Sequence, residues 1–257
     1  MKCVILAGGL GTRLAEETEV KPKPMVEVGE YPILWHIMKH YGHFGFREFL
    51  VALGYRGEVI KRYFHDYYTL QGNLTVDMPN QRVHLDEPHR EEWIVHLIET
   101  GKQSMTGGRV KRLQSYVGDE AFMVTYGDGV ADIDLQALLA FHKAQGRIAT
   151  ISAVRPQARF GALIIEDDKV RGFSEKPQTG EGWINGGFMV LEPAVFDYLP
   201  GDSSILEVDG LERLAAEGQL SAYLHDGFWQ CMDTLRDKRL LESLWQSGKA
   251  PWKVWPE

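Results

Sequence analysis

Short apolar runs alternate with amphipathic stretches through most of the chain, and this alternation most restricts what it can fold into. Strand and helix patterns in turn are satisfied by a sheet covered by helices on both faces, an α/β architecture. Residues 2–7 read as a first, fully buried strand, and strand patterns recur at 49–53, 93–98, 121–126, 149–154, 162–165, 170–173 and 184–191. Between them, 33–41, 58–67, 109–117, 134–143, 211–216 and 235–245 carry helical spacing. Pro32 suits a first helical turn and Asp134 an N-cap. Val59, Ile60, Tyr63, Phe64 and Tyr67 share one helix face. The segment 70–92, with Leu74, Val76 and Met78 in short alternation, reads either as a hairpin or as an excursion. No repeat, low-complexity tract or Pro/Ser linker divides the 257 residues. One domain over 1–257 is expected, elaborated at its C-terminal end from about residue 190. The expected fold is Rossmann-like, a mixed and mostly parallel sheet.

The balance of 28 Lys and Arg against 36 Asp and Glu gives a net charge of −8. Nucleic acid is a poor partner for such a chain, because general nucleic-acid binding needs a broad basic surface. Two cysteines, Cys3 and Cys231, are too few for a disulfide framework. The apolar run Val4-Ile5-Leu6-Ala7 is too short for a signal peptide and meets glycines at once. No apolar stretch is long enough to span a membrane. A cytoplasmic protein without membrane or nucleic-acid partners is expected.

The first strand runs into Leu6-Ala7-Gly8-Gly9-Leu10-Gly11-Thr12-Arg13. Such a turn serves either as a tight bend or as a nest of backbone amides for an anion. Its spacing matches neither G-x-x-x-x-G-K-[ST] nor G-x-G-x-x-G. Arg13 can fork onto phosphate oxygens, and Lys23 stands between Pro22 and Pro24, which stiffen and aim it. Asp128 ends a buried strand between Gly127 and Gly129, where α/β sheets place ligands. Asp233 precedes a helix and is either an N-cap or a ligand to a cation. Asp132 reads as a turn residue. His36 and His40 share a helix without the company a zinc site needs. No G-x-S-x-G supports a serine hydrolase.

The glycine loop followed by Lys21-Pro22-Lys23-Pro24-Met25 resembles the signature of sugar-1-phosphate nucleotidyltransferases. Where that superfamily usually has a proline shortly after the arginine, this chain has Leu14-Ala15-Glu16-Glu17-Thr18, which resembles the glucose-1-phosphate cytidylyltransferase subgroup. Ser104–Arg109, Thr125–Asp132, Arg159–Ala162, Ile184–Phe188, Phe228–Gln230, Met232–Lys238 and Gly248–Trp252 are similar to that subgroup's motifs, so the likeness runs end to end. Cys231 departs from it where a proline is expected.

The resemblance implies the nucleotide-diphospho-sugar transferase fold and a Mg²⁺-dependent reaction of CTP with glucose 1-phosphate. It implies Mg²⁺ on Asp128 and Asp233, and nucleotide contacts from Leu6, Ala7, Gly8, Gly9, Leu10, Gly11, Thr12, Arg13, Lys23, Ser104, Arg109 and Gly127. Arg109 reads otherwise as a solvated helix residue. On the sugar-phosphate side it implies Gly161, Glu175, Lys176, Asn185 and Gly186, with Arg13, Lys23 and Lys176 as the catalytic cations. Trp229 reads as core or as a sugar contact, and Trp245, Trp252 and Trp255 as core or interface. A homo-oligomer, a hexamer by family, and a role in nucleotide-sugar and O-antigen synthesis follow from the same likeness. Two other functions remain open on the residues: a transferase of the same fold with another base, or a nucleotide-sugar-binding module without catalysis.

Overall fold

A computed structural model describes residues 1–9, 11, 14–71, 73–85, 91–156, 162–166, 169–174 and 182–256. The elements run β1 (Lys2–Leu6), α1 (Ala15–Thr18), a 3₁₀ turn (Lys23–Met25), β2 (Glu27–Val28), β3 (Tyr31–Pro32), α2 (Ile33–His43), β4 (Glu48–Leu53) and α3 (Gly57–Gln71). Next come β5 (Leu74–Asp77), β6 (Arg82–Leu85), β7 (Ile94–Glu99), α4 (Thr106–Arg112), α5 (Gln114–Val117), β8 (Phe122–Tyr126), β9 (Gly129–Ala131) and α6 (Leu135–Gln145). The rest is β10 (Ala149–Val154), β11 (Ala162–Glu166), β12 (Lys169–Ser174), β13 (Ile184–Leu191), a 3₁₀ turn (Pro193–Tyr198), a π-helix (Leu206–Glu212), α7 (Arg213–Ala216), β14 (Leu220–His225), β15 (Trp229–Cys231) and α8 (Leu235–Gln246).

Seven strands form one sheet in the order β14-β10-β13-β8-β1-β4-β7. The pairs β1–β4, β1–β8, β4–β7 and β10–β14 are parallel, while β13 runs antiparallel to both β10 and β8. The mixed, mostly parallel α/β sheet expected from the sequence is therefore present. Strand β1 is buried on both faces, as a central parallel strand must be. Cys3 and Ile5 join the core under α2 and α6, and Val4 and Leu6 the core under α4 and the 3₁₀ turn Pro193–Tyr198.

Asp134 caps α6 as expected, accepting from the backbone amides of Gln136 and Ala137. Segment 70–92 contains a hairpin, β5–β6, whose paired positions Leu74↔Leu85 and Val76↔Val83 put apolar residues on one face. The short elements α1, β2, β3, β9 and β15 were not expected, and three others differ from expectation. The helix expected at 109–117 starts at Thr106 and breaks at Leu113, whose φ −90°, ψ 0° divides α4 from α5. The helix at 211–216 begins earlier, as a π-helix from Leu206. Edge strand β14 was not foreseen, because it exposes Leu224 and buries Ser221, the reverse of a readable alternation.

The tryptophans of the C-terminal end are core. Trp252 and Trp255 are buried, Trp245 packs against them, and His36 sits among all three rings. His36 and His40 are buried histidines whose ring nitrogens meet the carbonyls of Val28 and Ile133 at 2.9 Å. Burial drives the pKa of each down to about 4 from an ordinary 6.5. The neutral rings thus stabilise the fold above pH 6.5, and that contribution is lost as pH falls toward 4, on the order of 3 kcal/mol for each histidine. Urea midpoints measured across this window should fall steadily, and the His36→Gln, His40→Gln double variant should show a shallower fall. An equal slope in both proteins contradicts this origin of the acid sensitivity.

Candidate functional site

The sheet's carboxyl edge is where the chain gathers its polar groups. Strand β1 ends there at the glycine loop, β8 ends at Gly127-Asp128, and antiparallel β13 begins there with Asn185-Gly186. The register of β13 against β10 jumps between Ile151↔Met189 and Ala153↔Asn185, a bulge of the kind that re-aims residues beside active sites. Within it Gly187 adopts φ +81° and Asn185 Oδ1 accepts from the Gly187 amide.

The short ladder β9–β15 couples the two ends of the chain. Gly129 pairs with Cys231, and the Met232 amide donates to the Asp128 carbonyl at 2.8 Å. Asp128 and Asp233 are thereby brought side by side. Asp233 is not the N-cap of α8. Thr234 takes that position in a reciprocal box, its hydroxyl oxygen accepting from the Asp237 amide while the Asp237 carboxylate accepts from the Thr234 amide. The Asp233 side chain is left to face the cavity.

Lys23 spans the two carboxylates. Its Nζ donates to Asp128 Oδ2 at 2.6 Å and also to Asp233 Oδ1. Burial alone would lower the ammonium's pKa, but the charges and hydrogen bonds of Asp128 and Asp233 outweigh it and hold the pKa above its usual value. Gly127 is what lets the lysine turn come this close: a Cβ there would meet Pro24 Cγ at 2.8 Å.

Two cavities meet at this group. The larger, about 1120 Å³, is lined by Leu6, Ala7, Gly8, Gly9, Gly11, Lys23, Ser104, Arg109, Tyr126, Gly127, Asp128 and Asp233. The smaller, about 280 Å³, is lined by Tyr126, Asp128, Asn185, Gly186, Trp229, Cys231 and Asp233 among others. Every expected site residue that is described thus lines one cavity or the other. Leu10, Thr12, Arg13, Gly161, Glu175 and Lys176 lie outside the described residues. Trp229 packs against the core, as one of its readings has it, and it also lines the smaller cavity and donates to the Gly186 carbonyl at 2.7 Å. The Cys231 thiol also faces the smaller cavity, its pKa pushed up to about 12 by burial and by Asp233 and Asp128.

Arg109 is a buried residue, not a solvated one. Its guanidinium lies under the glycine loop and donates to the carbonyls of Gly8, Leu53 and Gly101 and to the Thr100 hydroxyl, tying together the ends of β1, β4 and β7. A Cβ on Gly8 would fall 2.3 Å from the guanidinium carbon, so this glycine leaves Arg109 the room it occupies.

Tyr126 was not singled out by the sequence. Its ring stands between the two cavities, and its hydroxyl donates to Glu207, which also accepts from the Thr106 hydroxyl at 2.7 Å. Burial, reinforced by Glu207, raises the phenol's pKa. The signal available was its position directly before Gly127-Asp128. Glu207, distant in sequence and on a π-helix, had none. The rim residues Tyr55, Arg56 and Lys102 also line the larger cavity and were not foreseen.

The chain matches the nucleotidyl transferase family profile over residues 2–240. It is 55% identical over 256 residues to glucose-1-phosphate cytidylyltransferase of Salmonella typhi, covering 99% of this chain and 100% of the relative. It is 45% identical over 257 residues to a probable glucose-1-phosphate cytidylyltransferase of Bacillus subtilis, with the same coverage. Among solved structures, HddC from Yersinia pseudotuberculosis superposes with a TM-score of 0.70 at 25% identity, covering 95% of this chain and 99% of that one.

The Arg109 fork yields a measurable expectation. Arg109→Met should lower unfolding stability by about 2–3 kcal/mol, the scale of charged hydrogen bonds lost in a buried setting. Arg109→Lys should recover little, because a point charge cannot serve carbonyls on three strands. Urea denaturation of the three proteins gives the comparison, and equal stability of the methionine variant refutes the fork.

Proposed function

The chain belongs to the nucleotidyl transferase family, and from that premise we propose that it joins CTP to α-D-glucose 1-phosphate, giving CDP-glucose and pyrophosphate. The observation that carries the reading is the pair of cavities meeting at one cation-bridged carboxylate pair. The larger has room for a nucleotide and opens at the glycine loop, while the smaller suits a hexose phosphate. Relatives named for this reaction match the chain along its whole length.

In the reaction a phosphate oxygen of the sugar phosphate attacks the α-phosphorus of CTP, and the bond from that phosphorus to the bridging oxygen of pyrophosphate breaks. The attacking oxygen is already anionic, so no general base is required. Catalysis rests on alignment and on neutralising charge. The glycine-loop amides, with Arg13, meet the leaving phosphates, and Lys23 meets the α-phosphate. Lys176 meets the sugar phosphate, and Glu175, Asn185 and Gly186 face the sugar, with Gly161 by resemblance. Ser104, Arg109 and Gly127 complete the nucleotide side.

Asp128 and Asp233 suit a divalent cation. They are two oxygen donors that line both cavities, and a cationic group already bridges them. Among the described residues no cluster of three or more metal-ligating side chains occurs. Mg²⁺ is commonly held by one or two carboxylates together with phosphates and water, and this pair supplies two. Such an ion would supply positive charge to the phosphate oxygens.

A homo-oligomer, as the family resemblance implies, is supported by the hairpin β5–β6, which leaves Leu74, Val76 and Val83 exposed on one face. Among the described residues no helix is long and apolar enough to cross a membrane.

Incubation with each nucleoside triphosphate, Mg²⁺ and glucose 1-phosphate, followed by product analysis, should give CDP-glucose from CTP. Product from UTP or dTTP and none from CTP reassigns the base. No product and no pyrophosphate from any triphosphate leaves a binding module. Lys23→Ala should reduce turnover by roughly tenfold or more, the scale of one charge-assisted contact in the transition state. Near-normal turnover in a folded variant removes Lys23 from the reaction.

A further inference from the structure

Asp128 and Asp233 stand side by side, and Lys23 fills the space between them. We propose that Lys23 is the resident counter-ion of this carboxylate pair, and that an incoming divalent cation displaces it, so that metal entry and delivery of the ammonium toward the phosphates are one exchange. The inference rests on the reading of the two aspartates as a metal site.

Geometry sets up the competition. A single ammonium spans both carboxylates, at 2.6 Å from Asp128 Oδ2 and in contact with Asp233 Oδ1. An ion of Mg²⁺ size needs those oxygens at about 2.1 Å. An ammonium and a divalent ion gathered on the same two carboxylates would stand within a few ångströms of each other and repel, which favours departure of the ammonium.

The lysine is built to move at one end only. Pro22 is extended at φ −70°, ψ 154°, Pro24 and Met25 are buried, and the Val26 amide closes the turn on the Lys23 carbonyl. Beyond this anchored backbone the four-carbon stem has rotatable bonds that can carry the ammonium to a new partner. The Lys23 side chain is 12% exposed, against 27% for Asp128 and 23% for Asp233, so the carboxylates are the more accessible side of the cluster. A cation can approach them from the cavity. Lys23 also lines the larger cavity, which gives the displaced ammonium somewhere to go.

Two consequences follow. Free protein binds a bare divalent ion weakly, because the ion must evict a cation already in place. A phosphate in the larger cavity offers the ammonium a new anion, so phosphate and metal strengthen each other's binding by the same factor.

Mn²⁺ is the probe, titrated without nucleotide and followed by the loss of its free electron-spin-resonance signal. The proteins are wild type, Lys23→Met, Asp128→Asn and the double variant. Lys23→Met should bind Mn²⁺ about tenfold or more tightly than wild type, the scale of a close charge pair. Adding Asp128→Asn should abolish the gain. Unchanged or weaker binding by Lys23→Met, with Asp128→Asn still lowering affinity, overturns the exchange and leaves the metal site standing. Binding indifferent to Asp128→Asn overturns the metal site itself. A second measurement on the wild type covers a Lys23→Met variant that does not fold. Reductive methylation read by mass spectrometry should modify Lys23 several-fold faster with Mn²⁺ than with a chelator, and equal rates overturn the exchange.

Discussion

Two carboxylates held next to each other in a half-buried place demand positive charge, and the site is arranged around that demand. The β9–β15 ladder creates it by setting Gly129 against Cys231 and so Asp128 beside Asp233. Lys23 meets it from a turn stiffened by two prolines. The capping box of α8 contributes indirectly: Thr234 and Asp237 take over the helix terminus and spare Asp233 from that duty. The bulge in β13 and the ring of Tyr126 then divide the space around the pair into two compartments of unequal size.

The net charge of −8 takes on a different meaning in this setting. A protein acting on phosphorylated substrates needs local rather than global positive charge. Arg56 and Lys102 stand at the rim of the larger cavity, Lys23 at its floor, and Arg109 beneath the glycine loop. Arg109 also shows that a buried cation need not meet another ion: burial lowers its pKa, and carbonyls and a hydroxyl of three strand ends satisfy it.

The parts legible in the sequence were those written in local patterns. Strand β1 is apolar from Cys3 onward because it is covered on both faces, and Asp134 announced its helix by chemistry that acts within one turn. Gly127-Asp128 was legible because a buried strand ended there. What escaped was set by distant partners. Asp233 kept two readings because only the backbone of α8 shows that Thr234 is the cap. Glu207 meets Tyr126 across 81 residues, and no spacing rule reaches that far. Strand β14 buries Ser221 and exposes Leu224, so its alternation ran against hydrophobicity. The tryptophans of the tail resolved into core only once α2 supplied the surface they pack on.

The contacts of Lys23 have a further consequence for how the molecule comes into being. Its partners are 105 and 210 residues downstream, the second of them near the start of the last helix. A chain emerging from the ribosome can build β1, its loop and the lysine turn early, yet it has no paired carboxylates until residue 233 is free to form its ladder. Contacts of such sequence separation are closed late and slowly. The paired carboxylates therefore cannot form before nearly the whole polypeptide is complete, and fragments ending before β15 lack one half of the cation pocket while retaining the entire glycine loop.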